Sequence, residues 1–273
     1  MEKLPEITYE ELDRLNTLID NIYGSHFTGY SPASLKRRVS RIMQLHKLSV
    51  FELRDRLTNN PVFFQQFLKD VTVNVTEMFR DPAFYKTLKE EVIPYMESFP
   101  KIKVWHAGCS TGEELYSFAI LFKEANLYHR SFFYGTDINA DVLEQAKDGI
   151  YELQKMKINA ENYTQTGAPN TLSDYYTAKY EAASIHHALK ENVFFSTHNL
   201  VTDGVFNEFQ LISCRNVLIY FNLELQLKVI DLFYQSLANF GFLCLGAKET
   251  LRNEDLKRFK IVDKKNRIYQ KIA

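Results

Sequence analysis

Residues 104–118 read VWHAGCSTGEELYSF, and this stretch decides the fold of the chain. The apolar run at 102–104 is typical of a buried strand, and apolar residues recur at helical spacing from Leu115 onward. Gly108 and Gly112 lie between the two, where a tight turn needs backbone angles and close approaches that a side chain forbids. The stretch therefore predicts a strand, a glycine loop and a helix whose first N–H groups face whatever binds over the loop.

A second strand is predicted at 132–136, and it ends at Asp137, which follows Gly112 by 25 residues. In a doubly wound sheet, an acid at the tip of the second strand binds the ribose of a nucleoside. The glycine loop and this acid together predict a site for a nucleoside-containing cofactor. The alternative interpretation is an ordinary strand-to-helix turn followed by an acidic loop.

The chemistry of the glycine loop narrows the class of cofactor. Its sequence, AGCSTG, lacks the G-x-G-x-x-G pattern of dinucleotide folds, and the chain has no G-x-x-x-x-G-K-[ST] phosphate loop. Glu113 and Glu114 follow the loop at once, where they would repel a pyrophosphate but suit a cation. S-adenosyl-L-methionine carries a sulfonium and an amino group and no phosphate, so the local charge favours it over NAD.

Composition and charge exclude several classes of protein. The chain of 273 residues is 45% hydrophobic and 14% aromatic, which is enough for a sizeable core. Its net charge of −1 argues against a general nucleic-acid binder. No apolar run has membrane-spanning or signal-peptide character, so we expect no direct membrane insertion. Cys109, Cys214 and Cys244 lie too far apart to suggest a metal site, and so sparse a count fits a reducing cytoplasm.

Four short helices are predicted before the first strand, so we expect an all-helical domain at 1–75. Thr8 with Glu11 and Ser49 with Glu52 form capping-box patterns, in which two side chains bind the first free N–H groups of a helix. A proline opens the second and the fourth of these helices, as is common at the first helical position.

The second helix carries a basic face opposite its apolar stripe. The basic side chains are Lys36, Arg37, Arg38 and Arg41. One interpretation is a solvated face. The other is a docking surface for an acidic partner, because arginines that share one helix face can bind carboxylates together.

Strands alternate with helices through the second part of the chain, 76–273, which predicts a mostly parallel sheet. Ligands of such sheets bind at the carboxyl ends of the strands. The candidate residues near predicted strand ends are Gly108, Asp137, Asn199, Leu200, Arg215 and Asn216. A linker before the first strand adds three further polar candidates, Asn74, Thr76 and Arg80. The alternative interpretation is two turn residues and a surface arginine.

A small insert is predicted within this second part, at about 171–198. Three β-type runs, at 175–180, 183–188 and 193–196, suggest three short antiparallel strands. The preceding segment, 151–170, is polar and is predicted to be irregular.

Several motifs in the chain occur in the order of a known family. They are NVTEMFR at 74–80, WHAGCSTGEE at 105–114, TDI at 136–138 and CRNVLIYF at 214–221, with LKRRV at 35–39 before them. Together they resemble the CheR family, the chemotaxis receptor methyltransferases. The resemblance departs from the family at Leu115, where proline is usual, at 246–249 and in the insert, whose sequence is unlike the enteric pattern.

The resemblance implies an α/β fold. A Rossmann-like S-adenosylmethionine methyltransferase domain with a small β-subdomain insert would follow an all-α N-terminal domain. The implied enzyme is a protein-glutamate O-methyltransferase that methylates membrane chemoreceptors and leaves S-adenosyl-L-homocysteine. Its partner would be the cytoplasmic helical region of the receptors, without nucleic acid, and we expect a cytoplasmic monomer.

The resemblance also implies roles for individual residues. Arg80 would hold the acceptor carboxylate, and Tyr220 would orient the acceptor or line the methyl channel. Asp137 would bind the ribose hydroxyls, and Glu114 or Glu113 the methionine amino group. The further implied cofactor contacts are Asn74, Thr76, Arg80, Gly108, Gly112, Asn199, Leu200, Arg215 and Asn216.

Two other functions stay open at this point. One is a methyltransferase of another substrate class, RNA or a small molecule, because a fold does not fix a function. The near-neutral charge weighs against RNA. The other is a non-catalytic cofactor-binding scaffold that docks receptors, against which the presence of Arg80 and Tyr220 weighs.

Overall fold

The computed structural model describes residues 5–24, 27, 29–72 and 76–272. The chain forms two compact units, of which unit 1 comprises Met1–Asn74 and Ile219–Val229, and unit 2 comprises Val75–Leu218 and Ile230–Ala273. Unit 1 also includes 219–229, which lies outside the expected domain at 1–75, and no local sequence pattern groups this segment with the first helices. Within the described residues, no helix is both long enough and apolar enough to span a membrane.

Unit 1 is built from four predicted helices. They are α1 (Tyr9–Tyr23), α2 (Pro32–His46), α3 (Val50–Asn59) and α4 (Pro61–Val71). The capping boxes of α1 and α3 are confirmed, because the side chains of Thr8 and Ser49 accept from the N–H groups of Glu11 and Glu52, whose carboxylates reach back. Each helix buries one apolar stripe, and these stripes form the core of the unit.

Unit 2 contains the remaining elements, except that most of the turn Leu218–Tyr220 and the first turns of the helix Leu223–Ser236 belong to unit 1. The helices are α5 (Pro82–Thr87), a π-helical turn (Leu88–Val92), α6 (Ile93–Met96), α7 (Glu113–Glu124), α8 (Ala140–Asp148), α9 (Leu153–Gln165) and the shared α10 (Leu223–Ser236). Short 3-10 turns lie at Tyr128–Arg130, Leu172–Tyr175, His187–Leu189, Leu218–Tyr220 and Asp255–Lys257. The strands are β1 (Ile102–Ala107), β2 (Ser131–Asp137), β3 (Ile150–Glu152), β4 (Tyr176–Lys179), β5 (Ala182–Ile185), β6 (Val193–Thr197), β7 (Phe209–Cys214), β8 (Leu237–Leu245), β9 (Phe259–Asp263) and β10 (Ile268–Lys271).

The described residues form a seven-stranded sheet in the order β6-β2-β1-β7-β8-β10-β9. Strands β6, β2, β1, β7 and β8 pair in parallel, and β10 is antiparallel to both β8 and β9. The predicted α/β fold, a mostly parallel Rossmann-like sheet after a helical segment, is therefore confirmed. On one face of the sheet, Phe118 and Phe122 of α7 lie in the same buried cluster as Val104 and Phe133 of β1 and β2.

The small insert differs from the prediction in one strand. The described residues form a separate three-stranded sheet in the order β3-β5-β4, in which β4 and β5 match the first two predicted runs. The third run, 193–196, lies instead in β6 of the large sheet, where Val193 pairs with Phe133 of β2. That pairing joins residues 60 positions apart, and strand pairing at such a distance leaves no mark in a local pattern.

The segment predicted to be irregular, 151–170, mostly forms α9. Its buried positions are Met156, Asn159, Asn162 and Tyr163. Two asparagines on the buried face weaken the apolar periodicity from which a helix is predicted. Both are buried because they bind the backbone of Met78, whose N–H donates to Asn159 Oδ1 and whose carbonyl accepts from Asn162 Nδ2.

Candidate active site

Predicted site residues of unit 2 collect at one edge of the large sheet. Strand β1 runs into Gly108 and β2 ends at Asp137, while β6 and β7 are followed closely by Asn199 and Arg215. These four strands are neighbours and run in parallel, so their carboxyl ends meet at the same edge. We call this group of strand ends the carboxyl edge.

The glycine loop closes over the end of β2. The N–H groups of Gly108 and Cys109 both donate to the carbonyl of Thr136, at 2.8 and 2.9 Å. Gly108 has φ 74° and Gly112 has φ 89°, a region that side chains disfavour. A Cβ at Gly108 would also lie 2.5 Å from Val217 Cγ2, so both glycines are required by the conformation of the loop.

Asp137 is held in place by backbone donors on both of its oxygens. Oδ2 accepts from Ser110 N at 2.9 Å and Oδ1 from Asn139 N at 3.1 Å. Burial raises the pKa of Asp137, although the backbone donors oppose that rise. Each carboxylate oxygen has a second lone pair, so the group can still accept from two neighbouring hydroxyls of a ligand.

Glu114 is surrounded by polar groups of strands β1 and β7 and of the residue that follows β7. Ser213 Oγ donates to Oε1 at 2.7 Å, His106 Nδ1 lies 3.1 Å from the same oxygen, and Arg215 Nη1 donates to Oε2 at 3.1 Å. Burial by itself would raise the pKa of Glu114, but the His106 hydrogen bond and the charge of Arg215 outweigh it and lower the pKa to about 2. Glu114 is therefore ionised at neutral pH.

Glu113, the preceding residue, has the opposite environment. Its side chain accepts from Thr111 Oγ1 at 2.6 Å, and the residue is 7% exposed. Burial raises the pKa of Glu113 to about 7, although the Thr111 hydroxyl opposes that rise. A cation is bound best by an ionised carboxylate, so Glu114 is the stronger of the two candidates that the sequence left open.

Arg80 lies on a short loop between two residues with left-handed backbone angles. Phe79 has φ 53° and Asp81 has φ 61°, a conformation that is uncommon for residues other than glycine. The loop is fixed by side chains of α7 and α9, because Phe79 N donates to Ser117 Oγ at 2.9 Å and Met78 N donates to Asn159 Oδ1 at 3.1 Å. Arg80 itself is half-buried. We call residues 78–81 the arginine loop.

The remaining predicted cofactor contacts lie beside these residues or outside the described part of the chain. Thr76 and Asn199 are half-buried, and Leu200 is buried. Asn216 has φ 64° and its N–H donates to Glu249 Oε2 at 3.0 Å. Asn74 lies outside the described residues.

Sequence reasoning missed the side chains that hold these residues from neighbouring elements. They are His106, Ser117, Asn159, Ser213 and Glu249. His106 stands inside a quoted motif, and Ser213 and Glu249 stand next to residues that drew attention. Polar residues in otherwise apolar strands are the signal that could have found His106 and Ser213.

In unit 1, the structure corrects the prediction for Arg38. Arg38 was expected on the exposed basic face, but it is buried, its Nη1 donates to the carbonyl of Val71 at 2.5 Å, and its guanidinium lies 4.1 Å from the centre of the Tyr220 ring. The physical reason is spacing, because position 38 follows Leu35 by three residues and so falls on the apolar stripe of α2. Tyr220 is half-buried, and its carbonyl accepts from Ser31 N at 2.7 Å.

The other three basic residues of α2 differ in exposure. Arg37 and Arg41 are exposed. Lys36 is half-buried, and its Nζ lies 4.9 Å from the centre of the Tyr9 ring. The exposed part of the basic face therefore consists mainly of Arg37 and Arg41.

Comparison with known proteins gives matches over most of the chain. The family model "CheR methyltransferase, SAM binding domain" matches residues 74–268, and "CheR methyltransferase, all-alpha domain" matches residues 10–72. A protein of Pseudomonas putida KT2440 named "Putative methyltransferase Cher3" is 45% identical over 262 residues, which span 94% of this chain and 96% of that protein. The chemotaxis protein methyltransferase of Listeria monocytogenes EGD-e is 30% identical over 227 residues, 82% of this chain and 84% of its own. That of Salmonella typhimurium LT2 is 32% identical over 202 residues, 71% of this chain and 66% of its own.

Proposed function

The chain belongs to the CheR methyltransferase family, with S-adenosyl-L-methionine as its cofactor, and on that premise we propose that it forms methyl esters on glutamate side chains of membrane chemoreceptors. The observation that carries this proposal is the carboxyl edge, where an ionised Glu114 and a backbone-held Asp137 lie in the same unit as the arginine loop. The two carboxylates suit a cationic nucleoside, and the arginine loop suits an anionic acceptor.

The residues of the carboxyl edge fit the cofactor. Asp137 has acceptor capacity for the two ribose hydroxyls, and Glu114 supplies the negative charge for the methionine amino group. Nδ2 of Asn139, buried next to Asp137, has no hydrogen-bond partner within the described residues, so a donor is available for a ligand there. The other proposed contacts are Asn74, Thr76, Gly108, Gly112, Glu113, Asn199, Leu200, Asn216 and, through its backbone, Arg215.

The bound cofactor supplies an electrophilic methyl group, and the work of the protein is to position the acceptor. A glutamate carboxylate is already ionised at neutral pH, so no strong base is needed. Arg80 binds one oxygen of that carboxylate by a charge-assisted hydrogen bond and leaves the other free to react. Correct alignment of reacting groups is a large source of rate enhancement, and the fixed backbone on both sides of Arg80 supports this role.

Tyr220 is proposed to orient the acceptor or to line the channel through which the methyl group passes. Its support is the family motif and its rigid setting in unit 1, where its carbonyl is bound by Ser31 and its ring by the buried Arg38. A tyrosine fixed in this way has few alternative rotamers available, as an orienting residue requires.

The exposed basic residues of α2 are proposed to dock the receptor. In the family, the acceptor is the helical cytoplasmic region of a membrane chemoreceptor, which is rich in glutamate. Arg37 and Arg41 offer the complementary charge, and Lys36 adds to it from a half-buried position. This proposal also implies that the protein works in the cytoplasm, where that receptor region lies.

The proposal is tested by the chemical nature of the methylated product. The purified protein is incubated with methyl-labelled S-adenosylmethionine and membranes from its own organism, and the label released as methanol by mild alkali is measured. Methyl esters release methanol under these conditions, whereas methylated amines do not. We expect alkali-labile label on receptor-sized proteins, formed about a hundredfold more slowly with the Arg80→Ala variant.

The other outcomes identify the alternatives. Label in RNA or in small molecules, with none on membrane proteins, would make the protein a methyltransferase of another substrate class. Binding of S-adenosylhomocysteine without any methyl transfer would make it a scaffold.

A further inference from the structure

Arg215 was predicted to contact the cofactor, but its guanidinium is already engaged within unit 2. The side chain is 3% exposed. Nη1 donates to Glu114 Oε2 at 3.1 Å, and Nη2 donates to Asp81 Oδ2 at 2.7 Å and to the carbonyl of Arg80 at 3.2 Å. The guanidinium also lies 4.0 Å from the centre of the Phe84 ring. Both terminal nitrogens therefore bind protein groups.

These contacts join two parts of the proposed site. Glu114 is in the first turn of α7, directly after the glycine loop, whereas Arg80 and Asp81 belong to the arginine loop. A second tie runs the same way, because Ser117 Oγ on α7 accepts from Phe79 N at 2.9 Å. The arginine loop is thus held against α7, the helix that begins directly after the glycine loop.

The arginine loop needs such ties because of its backbone. Residues 79 and 81 both have positive φ, and such conformations persist only where the surroundings hold them. Nη2 of Arg215 binds the carbonyl of Arg80 and the side chain of Asp81 together, so it fixes the peptide unit that connects these two residues. A lysine, with one nitrogen, cannot keep this fork and the bond to Glu114 at once.

We propose that Arg215 is a positioning residue: it sets the arginine loop, and with it the Arg80 side chain, in register with the carboxylate of Glu114. This inference rests on the proposed function, because it assigns Arg215 a role in presenting Arg80 to the acceptor. The planar guanidinium, stacked on Phe84 and buried, is the rigid link between the two sides.

Two variants test the contacts between Arg215 and the arginine loop, one at Arg215 and one at its partner Asp81. Arg215→Lys keeps the charge but replaces two terminal nitrogens by one, so it cannot bind Glu114 and the arginine loop together. Asp81→Asn removes the acidic partner on the side of the arginine loop, where the carboxylate is 48% exposed. Because Asp81 is so exposed, its variant should fold even where Arg215→Lys does not. A matched control is Arg258→Lys, since Arg258 also bridges two carboxylates, those of Asp231 at 2.8 Å and Asp255 at 2.7 Å, and lies 4.6 Å from the Tyr234 ring.

The first readout is amide hydrogen exchange, which does not depend on activity. We expect exchange at residues 78–81 to accelerate about tenfold or more in both site variants, because local opening reports the loss of local ties. In the two site variants, the rest of unit 2 should exchange at the wild-type rate. In the Arg258→Lys control, residues 78–81 should also exchange at the wild-type rate. Unchanged exchange at 78–81 in both site variants overturns the inference, and so does a uniform increase over the whole unit, which marks a purely structural residue.

The second readout separates acceptor from cofactor. Calorimetry with S-adenosylhomocysteine should give an unchanged dissociation constant for Asp81→Asn, while kcat on receptor membranes falls about tenfold or more. Equal losses in affinity and kcat would make Arg215 and Asp81 part of the cofactor site and overturn the inference. If the wild type itself methylates no receptor, the proposed function fails, and the exchange experiment still decides whether Arg215 sets the arginine loop.

Discussion

The carboxyl edge of the large sheet and the outer face of α2 both carry charge, but they hold it in different environments. At the edge, Glu114 is 18% exposed and Arg215 is 3% exposed, and each has several partners at hydrogen-bond distance. On α2, Arg37 and Arg41 face solvent. Buried and paired charge fixes the geometry of a small ligand, whereas exposed charge mainly steers a large partner and is screened by salt.

This difference in burial predicts that the two groups of charges contribute very differently to the free energy of unfolding. Removing one member of a buried ion pair typically lowers stability by about 3–5 kcal/mol, because it leaves the other charge without a partner. Exposed charges contribute about 0–1 kcal/mol each. We therefore expect variants at the carboxyl edge to have larger effects than variants on α2. Effects of equal size would contradict this comparison.

The largest expected effect belongs to Glu114→Gln. Its loss leaves the buried Arg215 with one fewer ionised partner, so we expect the free energy of unfolding near neutral pH to fall by about 3 kcal/mol in urea titrations. The pKa of Glu114 is about 2 in the folded state against 4.5 as the ordinary value, so its contribution is present above 4.5 and is lost as pH falls towards 2. The gap between wild type and variant should close over that range.

A control for this prediction is Glu144→Gln. The Glu144 carboxylate pairs with Lys147 on the surface, where it is 69% exposed, and we expect a change within about 0.5 kcal/mol. A gap at Glu114 that stays constant down to acid pH would mean that its ionised form is not the stabilising species.

Glu113→Gln should act with the opposite sign. The folded pKa of Glu113 is about 7, above the ordinary 4.5, so the folded state holds its proton while the unfolded state has already lost it. The stability of the wild type therefore falls as pH rises from 4.5 through 7, and glutamine removes this loss. Urea titrations should find the variant more stable above pH 7, by up to about 3 kcal/mol, and equal to wild type below pH 4.5. Equal stability at high pH would show that Glu113 is not forced to ionise in a buried setting.

Asp137→Ala tests the edge as a ligand site. The variant loses the acceptors proposed for the ribose hydroxyls, so affinity for S-adenosylhomocysteine should fall by about 1–3 kcal/mol in calorimetric titrations. Asp174→Ala is the control, because Asp174 is exposed and accepts from Thr171 N at 3.0 Å in the small 3-10 turn. Unchanged affinity in Asp137→Ala would remove this carboxylate from the cofactor site.

The smallest effect is expected on α2. Reversing Arg37 and Arg41 to glutamate should slow methylation of receptor membranes several-fold at low salt without altering affinity for S-adenosylhomocysteine, because exposed charges mostly set encounter rate and register. Added salt should slow the wild type more than the reversed variant. If the two proteins methylate equally fast at low salt, the face is only solvated, and the first of the two sequence interpretations was correct.

The features of the fold that sequence predicted were those encoded within a few residues. The glycine loop, the acid at the end of β2 and the capping boxes of α1 and α3 all depend on neighbours in the chain, and their patterns are therefore visible. The burial of Arg38 was of the same kind, since its spacing from Leu35 indicated it, but the charge of the residue hid the signal.

What sequence could not predict depends on residues far apart in the chain. Arg215 and Glu114 are 101 positions apart. Strand β6 pairs with β2 in the large sheet and not with β4 and β5, which come directly before it in the chain. Burial raises the pKa of Glu113, whereas for Glu114 the effect of burial is outweighed by His106 and Arg215, yet the two residues look identical in the sequence. Tertiary contacts of this kind become readable only when the sheet order is known.

The most direct test of the account measures methyl transfer and cofactor affinity on one preparation of Arg80→Ala. If the carboxyl edge holds the cofactor and Arg80 holds the acceptor carboxylate, turnover on receptor membranes should fall about a hundredfold while the dissociation constant of S-adenosylhomocysteine stays that of the wild type. An equal loss in both quantities would make Arg80 a cofactor ligand only. Unchanged turnover would contradict the account and remove Arg80 from the site.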